Sequence, residues 1–125
     1  MAVTYTTAVK TARMTAVRDQ IDAGTGAGTL QIGTTGMATV LATITLNDPS
    51  GTITNGVLTL SGFAKNATVA ATGTAAAARI RDSNNVDIVT GLTVGTSGSD
   101  INLDNTSINS GQTVTINSAT ITHAA

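Results

Sequence analysis

The stretch TITNGVLTL at residues 52–60 decides the fold class, because a tight turn joins two runs of alternating polar and apolar residues. An Asn-Gly pair between such runs, here Asn55-Gly56, is the strongest short-range signal for a two-residue β-hairpin. Gly56 can adopt the positive φ that a type I′ turn requires without steric strain. The stretch therefore predicts two antiparallel strands joined at residues 55 and 56.

The alternation continues on both sides of this hairpin. Upstream, VLATITL at residues 40–46 predicts a half-buried strand, and DPSG at residues 48–51 predicts a turn. Downstream, short β-branched and apolar runs are separated by turn residues about every 8–12 positions, a rhythm typical of sandwiches. The sequence predicts a mainly β chain, a single β-sandwich or jelly roll of roughly eight strands, with an N-terminal arm and a short helix.

The predicted strand within residues 67–81 places two cations on its outer face. Ala76, Ala78 and Ile80 have the parity of core residues, whereas Arg79 and Arg81 have the opposite parity. One interpretation is a solvated face with an ion pair to Asp82 or Asp87. The other is a docking contact, because arginine is enriched at interfaces and pairs with carboxylates through two hydrogen bonds.

Two irregularities are predicted in later strands. Gly91 interrupts the strand that begins near Val86. In the last strand Ile116 and Ala119 have opposite parity, so a bulge is predicted near Asn117-Ser118.

The N-terminal region predicts the only helix, at residues 8–22, with Thr7 as N-cap and Gly24 just beyond its end. Its apolar stripe is narrow and consists of Met14, Val17 and Ile21. The charges oppose the helix dipole, with cations near the start and aspartates near the end. The helix would therefore be marginal alone.

These features divide the protein into an arm and helix at residues 1–22, a Gly-rich joint at 23–29 and a β-sandwich domain at 30–125. Because the joint looks loose, residues 1–22 are predicted to act mainly in contacts between protein copies or with a partner, and their deletion is predicted to leave a folded sandwich. The interface candidates are Tyr5, Lys10, Arg13, Met14, Val17, Arg18, Arg79 and Arg81.

The composition argues against several function classes. Charged residues make up 10% of the sequence and the net charge is −1, which gives no field to attract nucleic acid. The sequence has no cysteine, no signal-peptide pattern and no apolar run long enough to span a membrane. We therefore expect no membrane or nucleic-acid partner, no cofactor and no thiolate metal site.

The residues that could carry chemistry have simpler interpretations. The glycines at 24, 26 and 28 follow a helix and precede a strand, the reverse of a phosphate-binding loop. His123, the only histidine, lies in the C-terminal tail. Asp100 and Asp104 could offer oxygens to calcium, but they lack EF-hand spacing. The sequence thus predicts a structural or binding protein and not an enzyme.

Four segments resemble one known family when taken in order. They are IDAGTGAGTLQIGT at 21–34, LATITLNDPSG at 41–51, NGVLTL at 55–60, and residues 71–122, which include RIRDS, GTSGSDINL and TSINSGQTV. Together they are similar to small tailed-phage capsid cement, or decoration, proteins. The resemblance covers nearly the whole sequence and carries no catalytic residues.

That resemblance implies a jelly-roll-like virion protein on the capsid exterior, which binds the major capsid protein and cements neighbouring subunits. It implies a homo-oligomer made in the host bacterial cytoplasm and incorporated without a signal peptide. The alternative is a receptor- or glycan-binding module of a phage tail or fibre. Aromatic residues, which usually stack on sugars, make up only 2% of the sequence and argue against that alternative.

Overall fold

The fold is mainly β with one N-terminal helix, as the computed structural model of residues 5–24, 26–47 and 50–122 shows. The predicted fold class is therefore confirmed. The described residues form α1 (Thr7–Ile21), β1 (Thr29–Gly33), a 3₁₀ turn (Thr35–Met37), β2 (Val40–Thr45), β3 (Gly51–Thr54), β4 (Val57–Leu60), β5 (Lys65–Thr68), β6 (Gly73–Thr74), β7 (Ala77–Arg81), β8 (Asp87–Gly95), β9 (Ile101–Leu103), β10 (Ser107–Ile108) and β11 (Thr113–Thr122).

The strands form one curled, sandwich-like sheet in the order β2-β1-β7-β8-β9-β11-β4-β3, and β5 also pairs with β11. Strands β8 and β9 are parallel, and the other pairs in this sheet are antiparallel. Strands β6 and β10 form a separate two-stranded ribbon. The described residues contain more than eight strands because the run from residue 57 to 81 is broken into several short pieces.

The hairpin at Asn55-Gly56 has the predicted turn. Both residues have positive φ, 50° and 78°, as a type I′ turn requires, and Thr54 pairs directly with Val57. Farther from the turn, the Ala70 amide donates a backbone hydrogen bond of 2.7 Å to the Leu41 carbonyl. Strand β2 thus lies beside β5.

One hydrophobic cluster fills the inside of the curled sheet. Its members come from both halves of the sheet and from the helix, and they are almost all Ile, Leu, Val and Ala. Ala78 and Ile80 are fully buried, as predicted, but Ala76 is exposed. The prediction for Ala76 was wrong because β7 begins only at Ala77, so the alternation does not extend back to residue 76, and Ala75 is buried instead.

The structure confirms both predicted irregularities. Ala78 pairs with Leu92 and Ile80 with Val89, so β8 has one residue more than β7 over this interval, and Gly91 lies there with a φ of 74°. In β11, the register shifts between Ile116 and Ser118, which restores Ala119 to the core-facing side. Each bulge therefore lets a long strand keep its apolar residues inward after a change of parity.

The helix begins one residue earlier than predicted. The side chain of Thr6, not Thr7, caps it by accepting a hydrogen bond from the Val9 amide. Met14 and Ile21 are 3% and 0% exposed and belong to the core, and Val17 packs against them. The helix contacts β3, β4 and β8, so it bridges strands that lie apart in the sheet order.

Two polar contacts attach α1 to the two ends of β3. The Thr11 hydroxyl accepts a hydrogen bond from the Gly56 amide at 3.0 Å, and the Asp22 carboxylate accepts from the Ser50 amide at 3.0 and 3.2 Å. From Thr11 to Asp22 a helix rises about 16 Å, and from Ser50 to Gly56 a strand covers about 20 Å. The helix therefore lies along the hairpin.

The structure contradicts the expectation that the N-terminal helix stands apart from the core, whereas residues 1–4 of the predicted arm lie outside the described residues. The Gly-rich joint is itself packed: the Ser83 hydroxyl donates to the Ala23 carbonyl at 3.1 Å. Gly28 is buried, and a Cβ there would lie 2.5 Å from the Arg81 carbonyl oxygen. Glycine spacing alone indicated flexibility, but here glycine permits close packing.

Replacing Ile21 by Ala tests the structural role of the helix. We expect Ile21→Ala to lower the free energy of unfolding by about 2–5 kcal/mol, the usual cost of a large buried truncation. Val9→Ala, on the exposed side of the same helix, is the matched control and should change it by less than ~0.5 kcal/mol. Urea unfolding measures both, and equal stability of the two variants would contradict this assignment of the core.

The turn is tested by Gly56→Val. The substitution forces a β-branched residue to positive φ and puts a Cβ 2.8 Å from the Lys10 Cβ, so we expect a loss of more than ~1 kcal/mol. Asn55→Gly keeps the turn conformation available and is the control. Thermal unfolding of the two variants should separate them clearly, and an unchanged midpoint for Gly56→Val would exclude the turn.

Candidate functional site

The outer face of strands β1, β7 and β8 carries a polar cluster, here called the arginine face, made of Gln31, Arg79, Arg81 and Asp87. Gln31 pairs with Arg79 across β1 and β7, and Arg81 pairs with Asp87 across β7 and β8. Because Ala78 and Ile80 point into the core, both arginines point outward, as predicted.

Hydrogen bonds hold both guanidinium groups in place. Arg79 Nε donates to Gln31 Oε1 at 2.8 Å, and Arg81 Nε donates to Asp87 Oδ1 at 2.7 Å. Arg79 Nη1 lies 3.8 Å from Asp87 Oδ2, so the two arginines share one carboxylate. Of the two ion pairs considered from the sequence, the one with Asp87 forms.

Asp82 serves the backbone instead of an ion pair. It is buried, and its Oδ1 accepts hydrogen bonds from the amides of Asn84 and Val86 at 2.9 and 3.0 Å. This side chain shapes the turn between β7 and β8. It therefore helps to bring Asp87 back beside Arg81.

The arginine face contains two arginine cations and one aspartate anion, so one positive charge within the cluster is not compensated. The hydrogen bond from Arg81 lowers the pKa of Asp87; desolvation opposes this shift, while the charges of Arg79 and Arg81 add to it. The two arginine side chains are only 21% and 24% exposed. They are thus fixed and partly desolvated, yet still reachable from solvent.

A cleft of about 450 Å³ adjoins the arginine face. Its lining combines apolar and small residues with one charged pair: Gly36, Met37, Ala76, Ala77, Arg79, Asp87, Thr90, Gly91, Leu92 and Thr93. A Cβ at Gly36 or Gly91 would meet no atom within 4 Å, so this space is open. The cleft can receive a side chain while Arg79 contacts a neighbouring polar group.

The candidate residues of the helix are placed differently. Met14 is buried in the core, so its selection as an interface residue was wrong; helical spacing could not distinguish a docked stripe from an exposed one. Arg13 stacks over the Tyr5 ring at 4.8 Å from its centroid, and Arg18 pairs with Asp19 at 3.4 Å. Lys10 packs beside the turn at Gly56.

The two aromatic rings are each approached by a cation. Besides the Arg13–Tyr5 contact, Lys65 Nζ lies 5.9 Å from the centroid of the Phe63 ring. Phe63 also packs against the core. Sugar-binding surfaces use open aromatic faces, and this arrangement does not favour the glycan-binding alternative.

The possible calcium ligands are engaged with the backbone. Asp100 Oδ2 accepts a hydrogen bond from the Thr93 amide at 3.0 Å, and Asp104 Oδ1 accepts from the Thr115 amide at 3.2 Å. Within residues 5–24, 26–47 and 50–122, no group of three or more His, Cys, Asp or Glu residues could hold a metal ion. His123 lies outside the described residues.

Comparisons with protein-family models, curated proteins and solved structures found no match to this protein. Among the described residues, no helix has the length and apolar character needed to cross a membrane.

The pH dependence of stability tests the ion pair in the arginine face. Because the folded-state pKa of Asp87 is below the ordinary value of 3.8, the pair stabilises the fold above that pH. This stability is lost as the pH falls through the lower folded-state value. We expect Asp87→Asn to be less stable than the wild type at neutral pH and to converge with it in acid.

Urea unfolding at a series of pH values between neutrality and strong acid measures this effect. Arg81→Gln should lose the same pH dependence of stability as Asp87→Asn, because it removes the hydrogen bond that contributes most to the lowered pKa of Asp87. An Asp87→Asn curve parallel to the wild-type curve at every pH would show that the pair does not form in solution.

Proposed function

We propose that this protein is a structural component of a tailed-phage virion, which binds the capsid exterior and cements neighbouring copies of the major capsid protein. The observation that carries the proposal is the arginine face with its adjoining cleft. We further propose that this surface is the docking surface, and that a carboxylate of the capsid subunit pairs with Arg79 and Arg81.

The geometry of the arginine face supports such a contact. Arginine binds a carboxylate through two parallel hydrogen bonds, and Arg79 and Arg81 share only Asp87 within the cluster. Because Gln31 and Asp87 already fix the guanidinium groups, docking orders few additional side chains. A side chain of the same partner would enter the cleft beside Arg79.

The sequence segments behind the family resemblance support the same surface. The segment at 21–34 packs directly on RIRDS, through the Ser83–Ala23 hydrogen bond and the close approach of Gly28 to Arg81. RIRDS contains both arginines. Two of the segments that carry the resemblance thus form the proposed docking surface and its support.

Cementing requires only modest affinity at each contact. A protein that touches two neighbouring subunits, or that forms an oligomer, binds its second site at high effective concentration. Because it binds the assembled shell better than free subunits, it stabilises the shell by mass action. Location on the virion exterior and homo-oligomerisation are part of this proposal.

Particles that lack the protein provide the test. We expect them to rupture at lower temperature than complete particles, and added purified protein should restore the rupture temperature. Arg79→Gln/Arg81→Gln should weaken binding in a sedimentation assay by about tenfold or more, since it removes charged contacts from a partly desolvated interface. The matched control is Arg13→Gln/Arg18→Gln, which removes the same number of arginines from the helix.

Different outcomes of this test would contradict the proposed docking surface and the proposed cementing function. Normal binding by the Arg79/Arg81 variant and loss of binding by the Arg13/Arg18 variant would move the docking surface to the helix. Particles whose rupture temperature does not change when the wild-type protein is absent or restored would contradict the cementing function itself. Urea unfolding of each variant confirms that the fold is retained.

A further inference from the structure

The turn at Asn55-Gly56 contains a dipeptide that is prone to attack by the backbone, and the helix packs against it. It is the only Asn-Gly pair in the sequence. Asn55 is exposed, whereas Gly56 is buried beneath the helix, where its neighbours include the Lys10 side chain. Asn-Gly is the dipeptide at which backbone attack on the asparagine side chain meets the least steric hindrance, because glycine has no Cβ.

The amide of Gly56 is the group on which this chemistry depends. The strands pair directly from Thr54 to Val57, so the Gly56 N–H takes no part in the ladder. It donates instead to the hydroxyl of Thr11 on α1, at 3.0 Å. The nitrogen is thereby held toward the helix while α1 stays docked.

We propose that Asn55 is a site of spontaneous deamidation and that docking of α1 through Thr11 keeps the reaction slow. In the reaction, the Gly56 nitrogen loses its proton and bonds to Asn55 Cγ, and the bond from Cγ to Nδ2 breaks to release ammonia. Water then opens the resulting cyclic imide at either carbonyl. The product is aspartate or isoaspartate at position 55.

Isoaspartate at position 55 would change the geometry of the turn in which it forms. Isoaspartate adds one carbon to the backbone within a two-residue turn, and a two-residue turn sets the pairing register of its strands. The displaced Gly56 amide no longer meets Thr11, so one of the two polar attachments of α1 is lost. Deamidation therefore loosens the helix that protected the turn, and the protein is altered progressively with age.

The test follows deamidation of the purified full-length protein at mildly alkaline pH. Peptide mapping by mass spectrometry, with electron-transfer fragmentation to locate isoaspartate, gives the rate at Asn55. We expect Thr11→Val to raise this rate roughly two- to tenfold, the population change that corresponds to one net hydrogen bond. Thr15→Val is the matched control, because the Thr15 hydroxyl bonds within the helix to the Thr11 carbonyl.

A comparison of folded and urea-unfolded wild-type protein completes the design and does not require any variant to fold. The proposal predicts slow deamidation at Asn55 in the folded protein and fast deamidation in the unfolded protein. Equal rates in the two states would overturn it. Equal rates in Thr11→Val, Thr15→Val and the folded wild type would overturn the role of Thr11, whatever the function of the protein.

Discussion

The type I′ turn at Asn55-Gly56 sets the register of the β3–β4 hairpin, and the position of the helix depends on that register. The turn directs the Gly56 amide toward Thr11, so the N-terminal half of α1 is attached at the turn. The far end of the helix is attached at Ser50, where β3 begins. Farther from the turn, a backbone hydrogen bond from Ala70 to Leu41 joins the segments where β2 lies beside β5. A slip of one residue would turn Leu58 and Leu60 away from the core.

Local sequence was sufficient for the features that depend on local chemistry. The turn, the interruption at Gly91 and the bulge near Asn117-Ser118 were all predicted, because each follows from alternation and from the conformational freedom of glycine or asparagine. The fold class followed from the same alternation. The outward direction of Arg79 and Arg81 was also predicted, since strand parity fixes it once Ile80 is known to be buried.

The features that depend on long-range packing were not predictable. Thr11 and Asp22 meet their partners on the β3–β4 hairpin, and nothing in the helix indicates those contacts. The joint at residues 23–29 looked flexible because its glycines permit many conformations, whereas here they permit close approach to Arg81 and Ser83. The cleft was missed because its walls come from three separate stretches, near residues 36, 76 and 91.

The segment from Arg79 to Ser83 links the core to the proposed docking surface. Ile80 is fully buried, the arginines on either side of it form the arginine face, and Ser83 anchors the joint that follows the helix. The guanidinium groups are therefore held in place by a strand that belongs to the core, which is unusual for long side chains on a surface. In a protein whose residues are only 10% charged, such a fixed pair is also the most distinctive electrostatic feature of its sheet. In the proposed docking, a partner carboxylate would meet side chains that are already fixed, so little conformational entropy would be lost on binding.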